Sequence, residues 1–168
     1  KKILRIRKLN IKINKNKFLP FNRIKVRLKK EIVSLGKGRI DVNKLKGNKI
    51  HPSKWNAIIK KENIKLIDTR NTYEIDIGQF KGAINPKTNS FREFPKKLKK
   101  MKIKKNDKLA IYCTGGIRCE KASTYLKLNG FKDVVQLDGG ILNYLNYINK
   151  TKKKSMWDGE CFVFDNRV

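Results

Sequence analysis

The chain has 168 residues, 43 of them Lys or Arg against 14 Asp or Glu, and a formal net charge of +29. That length holds one ordinary domain plus extra pieces; the charge points to a polyanionic partner, RNA foremost, although Lys-dominated charge beside many Ile and Asn also fits an AT-rich genome. No membrane span is expected, since no run of about 18 apolar residues exists, and three cysteines without framework spacing beside a single histidine argue against a stapled secreted domain and against zinc.

The chain begins with Lys1, and the expectation is that it starts inside a longer protein; no signal-peptide pattern opens it. The cysteine usage fits a reducing cytoplasm. Residues 1–35 are rich in cations with one acid, Glu31. Arg23 to Leu28 alternates polar and apolar as a half-buried strand does, and Ile3 to Ile13 alternates less cleanly. Two strands without partners make no stable domain, so this stretch reads as the tail of an upstream domain, with a disordered basic arm as the alternative.

Residues 36–50, with Gly36, Gly38 and Gly47, read as a linker. Ser53 is the expected N-cap of a helix through Lys54–Ile59, with His51 in the preceding loop. Ile64 to Asp68 is a strand, Asn71 to Ile77 a helical turn closed by Gly78, and Ala83-Ile84 a second short strand ending at Pro86. Phe91 to Met101 predicts a basic helix that Pro95 breaks or delays. Leu109 to Tyr112 is a strand, and the helix from Glu120 to Leu128 stops at Asn129-Gly130. Val134 to Leu137 is a strand that turns at Asp138-Gly139-Gly140 into a helix over Ile141 to Ile148. Thr151 to Ser155 is a charged linker, and Cys161 to Phe164 a last strand. Short apolar strands alternating with helices predict an α/β fold, a parallel sheet with helices on both faces.

Chemistry concentrates in Cys113-Thr114-Gly115-Gly116-Ile117-Arg118-Cys119. A strand, a glycine-bearing turn and a helix in that order aim backbone N–H groups and the positive end of a helix dipole at one point. A thiol held there ionises more readily than a free one. The two glycines let the loop curl round an anion, and Arg118 supplies a charge that does not titrate. The set suits a thiolate, a persulfide or a small oxyanion. Cys119, in the first helical turn, reads either as a second thiol within reach of Cys113 or as a core or capping residue standing in for serine. Cys161 reads as a core residue.

Asp68-Thr69-Arg70, Tyr73-Glu74 and Gly78-Gln79-Phe80-Lys81-Gly82-Ala83-Ile84 resemble the first signature of rhodanese domains, and the cysteine loop and Leu137-Asp138-Gly139-Gly140-Ile141 resemble the active-site loop and closing signature. Gln79 stands where that signature usually has histidine, and Cys119 where a small residue such as serine is usual. The stretch from Ile24 to Gly36, Phe91-Arg92-Glu93-Phe94-Pro95, Cys113 to Lys121, and Trp157 with Gly159 to Val168 resemble the bacterial tRNA uridine(34) hydroxylase family. The resemblance implies a rhodanese domain over residues 51–150, preceded by the C-terminal part of a ferredoxin-like or acylphosphatase-like domain in residues 1–35 and a linker over 36–50. Residues 151–168 would begin a C-terminal extension. It further implies oxygen-dependent conversion of the wobble uridine of tRNA to 5-hydroxyuridine, with Cys113 as the active-site, persulfide-type cysteine, molecular oxygen as co-substrate, no evident cofactor and no metal. The partner implied is tRNA, met at the anticodon loop, where a base is reachable without breaking a duplex.

The alternative is a sulfurtransferase carrying sulfane sulfur as a Cys113 persulfide. A phosphatase of the related cysteine-loop type would need a wider cradle than the four residues between Cys113 and Arg118 allow, and a purely RNA-binding module would need no reactive thiol. Asp68, Arg70 and Glu74 read as scaffold, with Arg70 in a structural ion pair. Lys121, Asp138 and Phe91 to Phe94 are candidates for the rim of the pocket.

Overall fold

The apolar runs read as strands lie side by side in the computed structural model, which describes residues 31–38, 40–42 and 45–164 together with Leu19, Arg23 and Leu28. β1 (Asn48–Ile50), β2 (Ile64–Asp68), β4 (Lys108–Tyr112) and β5 (Val134–Leu137) form a parallel sheet in the order β1-β5-β4-β2. β3 (Gly78–Phe80) and β6 (Trp157–Gly159) make a separate antiparallel ribbon. The helices are α1 (Pro52–Ile59), α2 (Thr72–Ile75), α3 (Phe94–Lys100), α4 (Ile117–Leu128) and α5 (Gly140–Thr151), with a 3-10 turn over Phe91–Glu93.

β4, buried from Leu109 to Tyr112, divides the core. Leu109 and Ile111 pack with Phe94, Leu98, Ala122 and Leu126 of α3 and α4, whereas Ala110 and Tyr112 pack with Trp55 of α1 and Ile141, Tyr144 and Ile148 of α5. A strand's side chains alternate between faces, so one apolar run serves two layers, the double cover expected of a buried parallel strand. Phe80 is the centre of the second layer, its ring edge-on to Tyr144 at 4.8 Å, Tyr112 at 4.9 Å and Trp157 at 5.1 Å. Gln79, where the resemblance leads one to look for histidine, lies on the exposed side of the same strand.

Several local expectations change. The N-cap of α1 is His51, whose Nδ1 accepts from the Ser53 amide at 3.2 Å; Pro52 at the first helical position puts the cap two residues before Ser53 and its own missing donor where none is needed. The helical turn ends at Ile75 with Asp76 as its C-cap, and Gly78 opens a strand instead, since the β3–β6 ribbon needs a residue without a side chain where the Glu160 backbone crosses it. Ala83-Ile84 contributes only a bridge from Ile84 to Ile67. The last strand is Trp157–Gly159, not Cys161 to Phe164, because pairing with β3 selects it. The predicted break of the Phe91 to Met101 helix falls between Glu93 and Phe94.

The chain forms two compact units, Lys1–Arg27 with Val163–Val168, and Leu28–Phe162. The two N-terminal strands and the ferredoxin-like remnant expected in residues 1–35 fall largely outside the described residues. Within the larger unit, Leu35 is fully buried in the α3–α4 layer, and the stretch read as linker ends in strand β1, paired with β5 from Asn48 to Ile50. No helix among the described residues is long and apolar enough to cross a membrane.

One buried ion pair ties the ribbon to the sheet. Arg70 donates from Nη2 to Asp68 Oδ2 at 2.7 Å and to the Gly78 carbonyl at 2.6 Å, and from Nη1 to the Glu74 carbonyl at 2.9 Å. Its guanidinium lies 5.1 Å from the Trp157 ring. Both charged side chains are fully buried. Removing one partner of such a pair leaves an uncompensated charge in the interior. Arg70→Leu is therefore expected to lower stability by about 3–5 kcal/mol, read from denaturant unfolding; a loss near zero would mean that the ribbon does not depend on this contact.

Candidate active site

The end of β4 delivers Cys113, and the carbonyls that follow are claimed from outside. The amide of Ile141 donates to the Cys113 carbonyl at 3.0 Å and that of Leu142 to the Thr114 carbonyl at 3.1 Å. These amides belong to the first turn of α5, which has no partners within its own helix for them. With its carbonyls pulled outward, the loop turns its N–H groups in. The Gly116 amide donates to Cys113 Sγ at 3.1 Å, and the Cys119 amide also donates to that sulfur. Gly116 stands at φ +89°, a left-handed conformation that ends the loop and caps α4. Gly140, at φ +67°, is needed for a second reason: a methyl there would run into the Cys113 and Thr114 carbonyls and the Gly116 amide.

Cys113 is 1% exposed. Burial pushes its thiol up, but the Cys119 thiol donating to it, the Arg118 charge and the Cys119 and Gly116 amides outweigh that and lower it to about 6. Cys119 moves the other way, raised by burial first and then by the neighbouring Cys113 sulfur. The two thiols thus divide into a thiolate at Cys113 and a protonated partner at Cys119. Thr69 stands behind Cys119, with its Oγ1 3.6 Å from Cys119 Sγ while donating to the Tyr112 carbonyl at 2.9 Å.

Arg118 is held by Glu74. Nη1 donates to Glu74 Oε2 and Nη2 to Oε1, both at 2.6 Å, a bidentate fork. Nη2 also reaches Thr114 Oγ1 at 3.3 Å, and Glu74 Oε2 accepts from the Asn71 amide at 3.1 Å. Arg118 is 12% exposed and Glu74 wholly buried. The guanidinium is thereby fixed beside the loop, and its charge is shared between a carboxylate and the Cys113 sulfur.

The structure brings together the whole predicted loop, Cys113 to Cys119, with Gly115 facing open space and Ile117 exposed at 54%. Asp68 and Arg70 act as scaffold, as read. The sequence reading missed Glu74 as the partner of Arg118; the signal available was Asn71-x-x-Glu74, the spacing of a capping box, which predicts a fixed carboxylate at a helix start. It also missed Thr69 and the Ile141 and Leu142 amides. Lys121 pairs with Glu31 at 2.9 Å and donates to the Val33 carbonyl at 2.6 Å, lining a pocket of about 230 Å³ beside Ile117. Phe91 and Phe94 are core residues, Asp138 joins β5 to β1 through its amide, and Cys161 is half-buried against the Phe80 layer. Among the described residues no His, Cys, Asp and Glu cluster forms a metal site.

A thiol met by loop amides at the end of a strand of a parallel sheet defines a class. Residues 51–147 match the rhodanese-like domain family, and the chain belongs to it. It is 51% identical over 169 residues to the tRNA uridine(34) hydroxylase of Pelagibacter ubique (strain HTCC1062), covering 100% of this chain and 54% of that protein. It is likewise 51% identical over 165 residues to the tRNA uridine(34) hydroxylase of Picosynechococcus sp. (strain ATCC 27264 / PCC 7002 / PR-6), covering 98% of this chain and 55% of that one. The chain spans about half the length of these curated relatives. Among solved structures it resembles the Alr3790 protein from Anabaena sp. (TM-score 0.53, 16% identity, covering 66% of this chain and 91% of that one). It also resembles reduced Bacillus anthracis CoADR-RHD (TM-score 0.52, 24% identity, covering 62% and 17%). Both likenesses are of fold.

Two outcomes test this geometry. Alkylation of Cys113 by iodoacetamide, followed by peptide mass spectrometry, is expected to rise with a midpoint near pH 6, and Arg118→Gln to move that midpoint upward; an ordinary thiol midpoint in the wild type would refute the amide collar. Because the folded-state pKa is depressed, the thiolate stabilises the fold fully above the ordinary thiol range and that contribution fades as pH falls through about 6. Gly140→Ala is expected to raise the same midpoint and lower thermal stability, since the added methyl displaces the loop carbonyls; an unchanged midpoint would detach α5 from the chemistry.

Proposed function

We propose that the chain is the rhodanese-bearing part of an enzyme that hydroxylates the wobble uridine of tRNA to 5-hydroxyuridine, with molecular oxygen as co-substrate. The observation that carries the reading is the thiolate at Cys113, poised near neutral pH inside a ring of amides, in a chain half-identical along its length to proteins named for this reaction. The role of Cys113 is that of the reacting sulfur; the Gly116 and Cys119 amides and Arg118 stabilise negative charge on it or on an adduct of it. Glu74 positions Arg118. The substrate base is met unpaired, in the anticodon loop, and the lysine-rich surface grips phosphates. The compartment proposed is the cytoplasm, where both tRNA and reduced thiols are found.

A second reading is favoured by the same sulfur: a sulfurtransferase that carries sulfane sulfur as a Cys113 persulfide. The discriminating substrate is tRNA. In cells whose only copy of the complete protein carries Cys113→Ala, 5-hydroxyuridine in tRNA is expected to vanish, as measured by nucleoside mass spectrometry. Wild-type levels would reject the role of Cys113, and unaltered tRNA in a strain lacking the protein altogether would favour sulfur transfer. Binding of tRNA is expected to weaken at least ~10³-fold between 50 and 200 mM salt if about six or more phosphates are contacted; a salt-independent affinity would remove the phosphate grip.

A further inference from the structure

Cys119 has a place in the site that a capping or packing residue would not need. Its side chain is fully buried, hydrogen-bonds the Cys113 sulfur and lies 3.6 Å from the Thr69 hydroxyl. The Cys113 sulfur accepts from the Gly116 amide at 3.1 Å and from the Cys119 amide at the start of α4, so it faces the turn that carries the second thiol. Two thiols placed in this way are within reach of each other, and a disulfide forms by attack of one sulfur on another already activated for displacement.

We infer that Cys113 and Cys119 form a two-electron dithiol/disulfide centre. The thiolate and the protonated thiol are the two states such an exchange requires: Cys113 reacts first, and Cys119 resolves the product by attacking the Cys113 sulfur. Resting on the reaction proposed above, the centre supplies the electrons that the hydroxylation consumes. Oxygen delivers one atom to the uracil carbon and releases the other as water. The uracil C–H, one O2, the Cys113 thiolate, the Cys119 thiol and one proton give the C–OH, one water and the Cys113–Cys119 disulfide. The uracil carbon loses two electrons, the two sulfurs together lose two, and oxygen gains four. A small-molecule thiol of the glutathione class then reopens the disulfide by exchange, becoming oxidised itself.

The test uses the complete protein, reduced and freed of small thiols. Treatment with diamide, followed by alkylation and peptide mass spectrometry, is expected to give a cross-linked Cys113–Cys119 peptide. Cys119→Ser and Cys119→Ala are expected to give none while retaining the wild-type circular dichroism. Separate alkylation of both cysteines after diamide in the wild type overturns the inference without touching the reaction. In a single turnover with tRNA in air, one disulfide per 5-hydroxyuridine is expected. Product formed with both thiols still reduced likewise overturns it. A wild-type protein that closes the disulfide with diamide but makes no 5-hydroxyuridine supports the dithiol and overturns the reading of the reaction on which its role rests.

Discussion

The direction in which two carbonyls point governs this site. A peptide plane has a donor on one side and an acceptor on the other, so a tight loop cannot turn all its amides toward an anion unless its carbonyls are satisfied elsewhere. Here the orphan amides at the start of α5 take the carbonyls of Cys113 and Thr114. The cost of a buried thiolate is thereby met by a second helix that never touches the sulfur. This explains why two glycines recur after β5 as well as after β4: the two turns pack backbone to backbone, and Gly140 leaves no room for a side chain.

Charge is arranged around the same point by a short segment of chain. The end of β2 and the segment that follows supply Asp68 and Arg70, which satisfy each other inside the protein and hold the ribbon, and then Glu74 of α2, which reaches across to Arg118. The two pairs do different work. The first is closed and structural. The second leaves the guanidinium one face for the cysteine loop, so that Arg118 both is anchored and stabilises the sulfur's charge. A bare arginine at the same position would sweep a wider volume and lose rotamer freedom on every encounter with an anion; the Glu74 fork removes that freedom in advance.

The neighbouring thiol adds what amides cannot. Amides and a guanidinium stabilise negative charge but exchange no electrons, whereas Cys119 gives the site a second redox-active sulfur, buried from solvent and held against the first. Thr69, at the end of β2, sits behind that thiol. The strands β2 and β4 therefore meet at the chemistry as they do in register, Asp68 beside Tyr112 and the following residues beside the loop.

The sequence by itself determined the parallel α/β layering, the strands at Ile64–Asp68 and Val134–Leu137 residue for residue, and the placing of Cys113 in a loop between strand and helix. These rest on local signals: apolar runs of strand length, glycines where φ must be positive, and a thiol between strand and helix. What only the tertiary structure decided is which distant groups converge. The ribbon of β3 and β6 joins residues far apart in the chain, and three-residue strands carry no periodicity of their own. The Glu74–Arg118 fork and the grip of α5 on the loop span long separations. Such contacts are set by how layers pack, and no spacing along the chain encodes them.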